Sequence, residues 1–191
     1  MSKIKTVAVY LGSRPGAGRR PLDNAFRLGQ LLAGAGIGIV YGGASVGTMK
    51  ALADGAAAAG GHITGVFPAG FKGKKDNAEA GICVGPEGVS LTETIFVKDI
   101  AERITIMESL ADAMVFLPGS FGTMTEAFSW MEEWQLGYHT KPAFVLNTGG
   151  FYDGLLAQFR TMIADGFMDG DDMNYLSVAS TPDELLELII G

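Results

Sequence analysis

The sequence predicts an α/β protein of the Rossmann-like, doubly wound kind, with a mostly parallel sheet and helices on both faces. Three observations carry this. Short apolar, β-rich runs alternate with segments at helical spacing along the whole chain. The spacing between successive runs is that of right-handed βαβ units, which covers a parallel sheet on both sides. Glycine clusters fall where strands pass into helices, the edge at which such sheets bind ligands.

The elements follow in order. Thr6–Leu11 reads as a buried strand, and Leu22–Ala35 as a helix with Leu28, Leu31 and Leu32 at helical spacing and glycine at its end. Ile37–Tyr41 is a second strand, Val46–Ala59 an alanine-rich helix and Ile63–Phe67 a third strand. Residues 68–90 show no period and mix glycine, lysine and acid. A connection of that length predicts a lid or flap near a site. Thr92–Val97 is a strand, Ile100–Leu110 a helix, Ala113–Leu117 a strand, Thr123–Leu136 a helix and Ala143–Leu146 a strand. Phe151–Asp165 is helical and stops at Gly166, and a short strand at Tyr175–Val178 precedes a capped helix from Thr181. No repeat or linker divides the 191 residues, so one domain is expected.

Composition excludes several classes. The chain is 48% hydrophobic and 18% charged, as a globular protein is, and its net charge is −7. Basic residues cluster only at Arg19-Arg20 and Lys72–Lys75, so a nucleic-acid partner is not expected. A small anion held by backbone dipoles fits an acidic protein well. Cys83 is the single cysteine and only His62 and His139 are present, which argues against a disulfide or a metal site. The uncharged stretch 28–49 contains seven glycines and reads as helix end, strand and loop, not as a membrane span. Residues 1–10 read as a first strand and not as a signal peptide, so a cytoplasmic protein is expected.

Three segments sit at strand-to-helix passages: Gly12-Ser13-Arg14-Pro15-Gly16, Gly42-Gly43-Ala44-Ser45-Val46-Gly47-Thr48 and Pro118-Gly119-Ser120-Phe121-Gly122-Thr123. In a parallel sheet all three lie at one edge. Glycine lets the backbone turn sharply and approach a ligand, and the following helix offers unpaired N–H groups to an anion. One such turn is often mere turn chemistry; three together point to a phosphate site. None has the Gly-Lys-Ser/Thr ending of a P-loop, and none is a full G-x-G-x-x-G with a ribose-binding acid.

Residues Leu117–Glu126 resemble the P-G-G-x-G-T-x-x-E signature of the "lonely guy" family, cytokinin riboside 5′-monophosphate phosphoribohydrolases long labelled lysine decarboxylases. Leu11–Ser13 is similar to the family's C-G-S, Val40–Met49 to V-Y-G-G-x-x-x-G-x-M, and Gly65–Pro68 to G-V-I-P. Asp99–Met107 is similar to D-M-H-x-R-K-x-x-M, Gln135–Pro142 to Q-L-G-x-H-x-K-P, and Asn147–Asp153 to N-x-x-G-Y-Y-D. The resemblance implies hydrolysis of the N-glycosidic bond of a nucleoside 5′-monophosphate of the AMP or isopentenyl-AMP type, with no metal or organic cofactor. It places the catalytic arginine and glutamate on Arg103 and Glu126. Phosphate and substrate contacts fall to Gly12, Ser13, Gly42, Gly43, Gly47, Gly119, Ser120, Phe121, Gly122 and Thr123. It also implies a homodimer built on helices flanking the signature, for which Phe128, Trp130, Met131 and Trp134 supply apolar bulk.

Elementary chemistry agrees. Glycosidic cleavage builds positive charge on the sugar, which a fixed carboxylate stabilises. Glu126 is expected in the first turn of its helix, where charge complementarity with the helix dipole is an alternative role. Arg103 suits a bidentate grip on phosphate or ribose, with an i,i+4 pair to Asp99 as the alternative. The chain departs from the family pattern at Ser120 for glycine, Ile104 for lysine, Glu132 for threonine, and in a longer 68–90 segment. A Ser120 hydroxyl is expected to cap the helix or donate to phosphate. The family's substrate-binding glutamate has no assigned equivalent there, with Glu79 and Glu87 the candidates. Ile104 and the long segment favour a second class, a non-catalytic nucleotide or molybdenum-cofactor carrier on the same scaffold. His139 is expected to cap or pack, Met107 and Met114 to fill the core, and Trp130 and Trp134 to pack against the core or a partner.

Overall fold

The computed structural model describes residues 4–69 and 89–191. The strands are β1 (Thr6–Tyr10), β2 (Gly38–Tyr41), β3 (Ile63–Pro68), β4 (Glu93–Val97), β5 (Ala113–Phe116), β6 (Ala143–Leu146) and β7 (Leu176–Ala179). The helices are α1 (Arg20–Gly34), α2 (Gly47–Ala58), α3 (Ile100–Leu110), α4 (Phe121–Gln135), α5 (Asp153–Ala164) and α6 (Pro182–Ile190). These strands form one sheet in the order β4-β3-β2-β1-β5-β6-β7, and every neighbouring pair is parallel. The expected mostly parallel sheet is therefore wholly parallel among the described residues. Strands β1 to β4 extend in one direction and β5 to β7 in the other, so the order reverses between β1 and β5. In sheets of this kind a crevice opens there, beyond the carboxyl ends of the strands.

Alternation along each strand divides the core into two layers. Val7 and Val9 of β1 and Ile39 and Tyr41 of β2 face α1, α2 and α6, where Leu28, Leu32, Leu52, Leu185 and Ile189 are buried. Ala8, Tyr10 and Val40 face the opposite way, with Met107 of α3, Ala127 and Trp130 of α4 and Phe159 of α5. Met107 and Met114 are fully buried, as expected. The start of α3 is fixed by Asp99, whose carboxylate accepts from Glu102 N at 2.9 Å, and that of α6 by Thr181, which accepts from Glu184 N at 3.2 Å.

The boundaries differ in instructive places. Helix α1 begins at Arg20, with Pro21 in its first turn, two residues before the apolar period starts. Helix α4 begins at Phe121 rather than Thr123. The residues Thr148–Gly150 and Gly170–Tyr175 form 3-10 turns with no apolar period, so the sequence pattern does not mark them. The expected lid at 68–90 falls almost wholly outside the described residues, together with Cys83, Glu79 and Glu87. Among the described residues no helix is long and apolar enough to cross a membrane.

Candidate active site

The three glycine turns meet at the β1–β5 switch point. Gly12 N donates to Pro118 O at 3.2 Å, and a side chain at Gly12 would come within 3.4 Å of Gly119 Cα. The Thr48 hydroxyl, in the first turn of α2, donates to Gly12 O. Gly47 has φ +54° and lies directly against the backbone of Ser13 and Arg14, so any side chain there would collide with the first turn. At the third turn the Tyr152 hydroxyl donates to Leu117 O at 2.6 Å, bracing the end of β5. Tyr152 is itself set by Asn147, whose Oδ1 accepts from Tyr152 N at 2.7 Å and whose amide donates to Asp153 at 2.8 Å. The turns therefore interlock through backbone, with little freedom to open.

Arg103 and Glu126 meet beside them. The Arg103 guanidinium forms an ion pair with the Glu126 carboxylate, and the two side chains are 13% and 3% exposed. Arg103 Nη1 lies where a side chain at Gly42 would approach within 3.2 Å, which ties the pair to the second turn. The alternative partner is not used: Asp99 caps α3, and Arg103 turns inward from that helix. Glu126 is the sixth residue of α4 and so stands in its second turn, not its first. Its depth rules out simple dipole complementarity, which acts within the first turn. Burial pushes the Glu126 carboxyl above the ordinary glutamate range, and the Arg103 guanidinium opposes that shift. A buried pair of this kind is weak evidence for stability but holds its members in fixed geometry.

The remaining predicted residues divide into two groups. Gly12, Ser13, Gly42, Gly43, Gly47 and Gly119 lie in the interlocked turns, with Gly43 at φ +76° against the Phe67 ring. Gly122 has nothing within 4 Å of the position a Cβ would take, so the space beside it is open. Thr123 is buried against Gly119, where it packs the turn from beneath. Phe121 is 91% exposed. Ser120 occupies the N-cap of α4 and its side chain makes no capping bond, so the first of the two roles expected of its hydroxyl is not used. Ile104, in place of the family lysine, is buried in the core and brings no cation near the site. His139 packs as expected: Nδ1 accepts from Lys141 N at 3.2 Å, which leaves the ring proton on Nε2 to donate to Trp130 O at 3.1 Å. Burial lowers its pKa, in keeping with a neutral ring. Trp130 is fully buried, and Trp134 stacks on Tyr175 with ring centres 4.1 Å apart.

Sequence reasoning missed two supporting side chains, Thr48 and Tyr152, and two buried polar groups, Tyr10 and Glu108. The first two carry signals, since both fall inside the family-like motifs at Val40–Met49 and Asn147–Asp153. Glu108 follows Ile104 and Met107 at the i+4 and i+1 positions of one buried helix face, a place where a carboxylate is out of pattern. Tyr10 is the last residue of a strand and nothing in its neighbourhood distinguishes it from core.

Fold and site together define a Rossmann-like α/β protein whose interlocked glycine turns face a buried arginine–glutamate pair at the switch point. A family model described as "Possible lysine decarboxylase" matches residues 49–189. The chain is 35% identical over 164 residues to the cytokinin riboside 5′-monophosphate phosphoribohydrolase of Rhodococcoides fascians, covering 86% of this chain and 78% of that one. It is 38% identical over 182 residues to a probable enzyme of the same name from Oryza sativa subsp. japonica, covering 94% and 76%. Among solved structures, the molybdenum cofactor binding protein from Rippkaea orientalis superimposes with a TM-score of 0.69 at 25% identity, over 99% of this chain and 97% of that one. The chain belongs to the lonely guy family, the group once described as lysine decarboxylases.

Proposed function

We propose that the protein is a phosphoribohydrolase that cleaves the N-glycosidic bond of AMP or of an N6-modified AMP, of the isopentenyl-AMP type. The observation that carries this reading is the buried Arg103–Glu126 pair set beside three interlocked turns at the β1–β5 crevice. The 5′-phosphate sits against the turn at Gly119–Thr123, where the first N–H groups of α4 have no partner within the helix. The ribose then lies toward Glu126, one and a half turns along α4. As the bond between C1′ and the base nitrogen breaks, positive charge grows on C1′ and the ring oxygen, and the Glu126 carboxylate stabilises it. Water adds to C1′ and gives a proton to Glu126, that proton passes on through solvent to the departing base nitrogen, and ribose 5-phosphate remains with the carboxylate restored. A carboxyl group raised by burial is the stronger base of its kind, and Arg103 keeps it ionised and aimed. Arg103 also reaches the phosphate or ribose hydroxyls from its place beside Gly42. Water is the one co-reactant required.

The named relatives support this reading over its rival, and the site residues keep both members of the pair. The carrier reading draws on the Rippkaea likeness and on the buried Ile104. Incubation with a panel of nucleoside monophosphates, with free base followed by chromatography, separates the two. The enzyme releases base from AMP or isopentenyl-AMP, whereas a carrier binds without release. We further propose a homodimer through α4 and its C-terminal flank, where Phe121, Phe128, Leu136 and Tyr138 are exposed at 91%, 41%, 63% and 77%. Light scattering at micromolar concentration is expected to give twice the 20.0 kDa chain mass.

A further inference from the structure

Three backbone carbonyls stand just past the carboxyl ends of β1 and β5, where the first and third turns meet: Gly12 O, Leu117 O and Pro118 O. Each is claimed by a donor of the fold itself. Gly12 O accepts from the Thr48 hydroxyl, Leu117 O from the Tyr152 hydroxyl at 2.6 Å, and Pro118 O from Gly12 N at 3.2 Å. The two hydroxyls come from opposite layers of the molecule. Thr48 is the second residue of α2 and 4% exposed, and Tyr152 stands just before α5 and is 2% exposed. The Tyr152 ring is set edge-on against Phe116, with ring centres 5.1 Å apart, so its hydroxyl has little room to move. Because both hydroxyls are buried, the carbonyls that they hold point into the fold and not into the crevice. Proline carries no N–H, so the Leu117–Pro118 peptide offers an acceptor and no donor. Beyond it the first bond of α4 runs from Met124 N to Ser120 O at 3.0 Å. The N–H groups of Phe121, Gly122 and Thr123 precede that bond and have no partner within the helix. The turns thus sort their dipoles, with these carbonyls inward and the N–H groups at the open side beside Gly122.

We propose that Tyr152 and Thr48 are positioning residues for the phosphate: their hydroxyls hold the Leu117 and Gly12 carbonyls away from the anion, so that the turns meet it with N–H groups. A phosphate gains from every N–H dipole aimed at it and is repelled by every carbonyl dipole turned the same way. In a crevice walled by protein, neither effect is screened as it is in water. A carbonyl that loses its hydroxyl is left buried and unpaired, and the relief open to it is to turn toward the solvent of the crevice. There it opposes the phosphate. Packing alone does not call for either hydroxyl, since valine has the shape of threonine and phenylalanine that of tyrosine. Burial pushes the Tyr152 hydroxyl well above its ordinary pKa, so it remains a donor throughout the range in which a phosphate ester is charged.

The role rests on the hydrolase reading for its ligand, a 5′-phosphate, and is tested on binding so that the two can fail separately. Calorimetry compares AMP with adenosine in wild type, Tyr152→Phe, Thr48→Val and Leu52→Ala. Wild type is expected to bind AMP more tightly than adenosine, and the ratio of the two affinities isolates the phosphate. Tyr152→Phe and Thr48→Val are each expected to lower that ratio about tenfold, with adenosine affinity unchanged. Leu52→Ala loses stability from the apolar layer and is expected to keep the ratio, which separates positioning from general loosening of the fold. A ratio that holds in Tyr152→Phe or in Thr48→Val overturns the role of that residue. Equal losses for AMP and adenosine, or a fall in Leu52→Ala as well, reduce the hydroxyls to structural supports and overturn the proposal. So does a wild type that binds AMP no more tightly than adenosine. If Tyr152→Phe fails to fold, Asn147→Ala takes its place, since Asn147 sets the Tyr152 backbone, and the same phosphate-specific loss is expected. Kinetics supply a parallel readout: in Tyr152→Phe the KM for AMP is expected to rise about tenfold while kcat stays within about twofold. A fall in kcat with KM unchanged counts against the role. Absence of base release from every nucleotide contradicts the hydrolase reading instead, and leaves the affinity ratio to decide the role of the hydroxyls.

Discussion

The two faces of the sheet are built by different rules. The layer under α1, α2 and α6 is mostly aliphatic, with Leu28, Leu32, Leu52 and Leu185 wholly buried and no buried carboxylate among the described residues. The layer under α3, α4 and α5 holds the two buried glutamates of the described residues, Glu108 and Glu126, together with the Tyr10 hydroxyl and Arg103 Nε, both buried without a partner among those residues. The strands serve both: Val9 faces one layer and Tyr10 the other. Polar groups without full partners cost free energy that a protein does not spend on packing alone. The first layer holds the fold, and the second gives up part of its stability to place charges at the switch point.

That contrast is broken or sharpened by substitution on each face. Arg103→Ala is expected to have the largest effect on stability, about 3–5 kcal/mol at neutral pH, because it strands the Glu126 carboxylate in a buried place. The loss shrinks as pH falls and Glu126 protonates, so denaturant melts at pH 5 and pH 8 must differ. Leu52→Ala, on the apolar face, is expected to cost about 2–5 kcal/mol with no such pH dependence and with affinity for ribose 5-phosphate unchanged. An altered affinity in that variant would show that the two layers are not independent.

Glu108→Gln gives a smaller effect of opposite sign. The folded-state value of Glu108 is raised to about 7 from an unfolded value of 4.5, so the unfolded chain releases this proton first. The stability it contributes is full below about 4.5 and is lost as pH rises through about 7. Glutamine does not titrate, so the variant gains on wild type between pH 4.5 and 8, by about 3 kcal/mol at most. Parallel urea melts across that range check both the sign and the window. Gly122→Val should change stability least, within about 0.5 kcal/mol, since its side chain meets open space at an unstrained position. It is nonetheless expected to abolish calorimetric binding of ribose 5-phosphate, because that space is where the anion approaches α4. Binding at wild-type affinity would move the phosphate elsewhere.

The sequence is informative where local chemistry determines the outcome. Apolar strands, glycine turns and the alternation of elements are local features, and they gave the sheet, its two covered faces and the edge that bears the turns. Motif position points to Arg103 and Glu126, and the structure brings them together from α3 and α4. What the sequence does not carry is depth. Glu126 reads as a first-turn residue because Phe121 and Gly122 look like loop, yet the helix already includes them. Ser120 has the right chemistry for a cap, but its side chain makes no such bond. Glu108 looks like any helix glutamate until α4 closes over it. Depth of this kind is set by packing between elements that are distant in sequence, and no local pattern records it.

The claim on which the rest depends is that Glu126 acts on the bond-breaking step. Its direct test is single-turnover release of free base from AMP or isopentenyl-AMP by wild type and Glu126→Gln, with nucleotide binding measured beside it. The expected result is base release by wild type and a loss of at least about a hundredfold in the variant, near 3 kcal/mol of transition-state stabilisation, while much of the binding is kept. No release by wild type, or equal rates in the two proteins, would contradict the account.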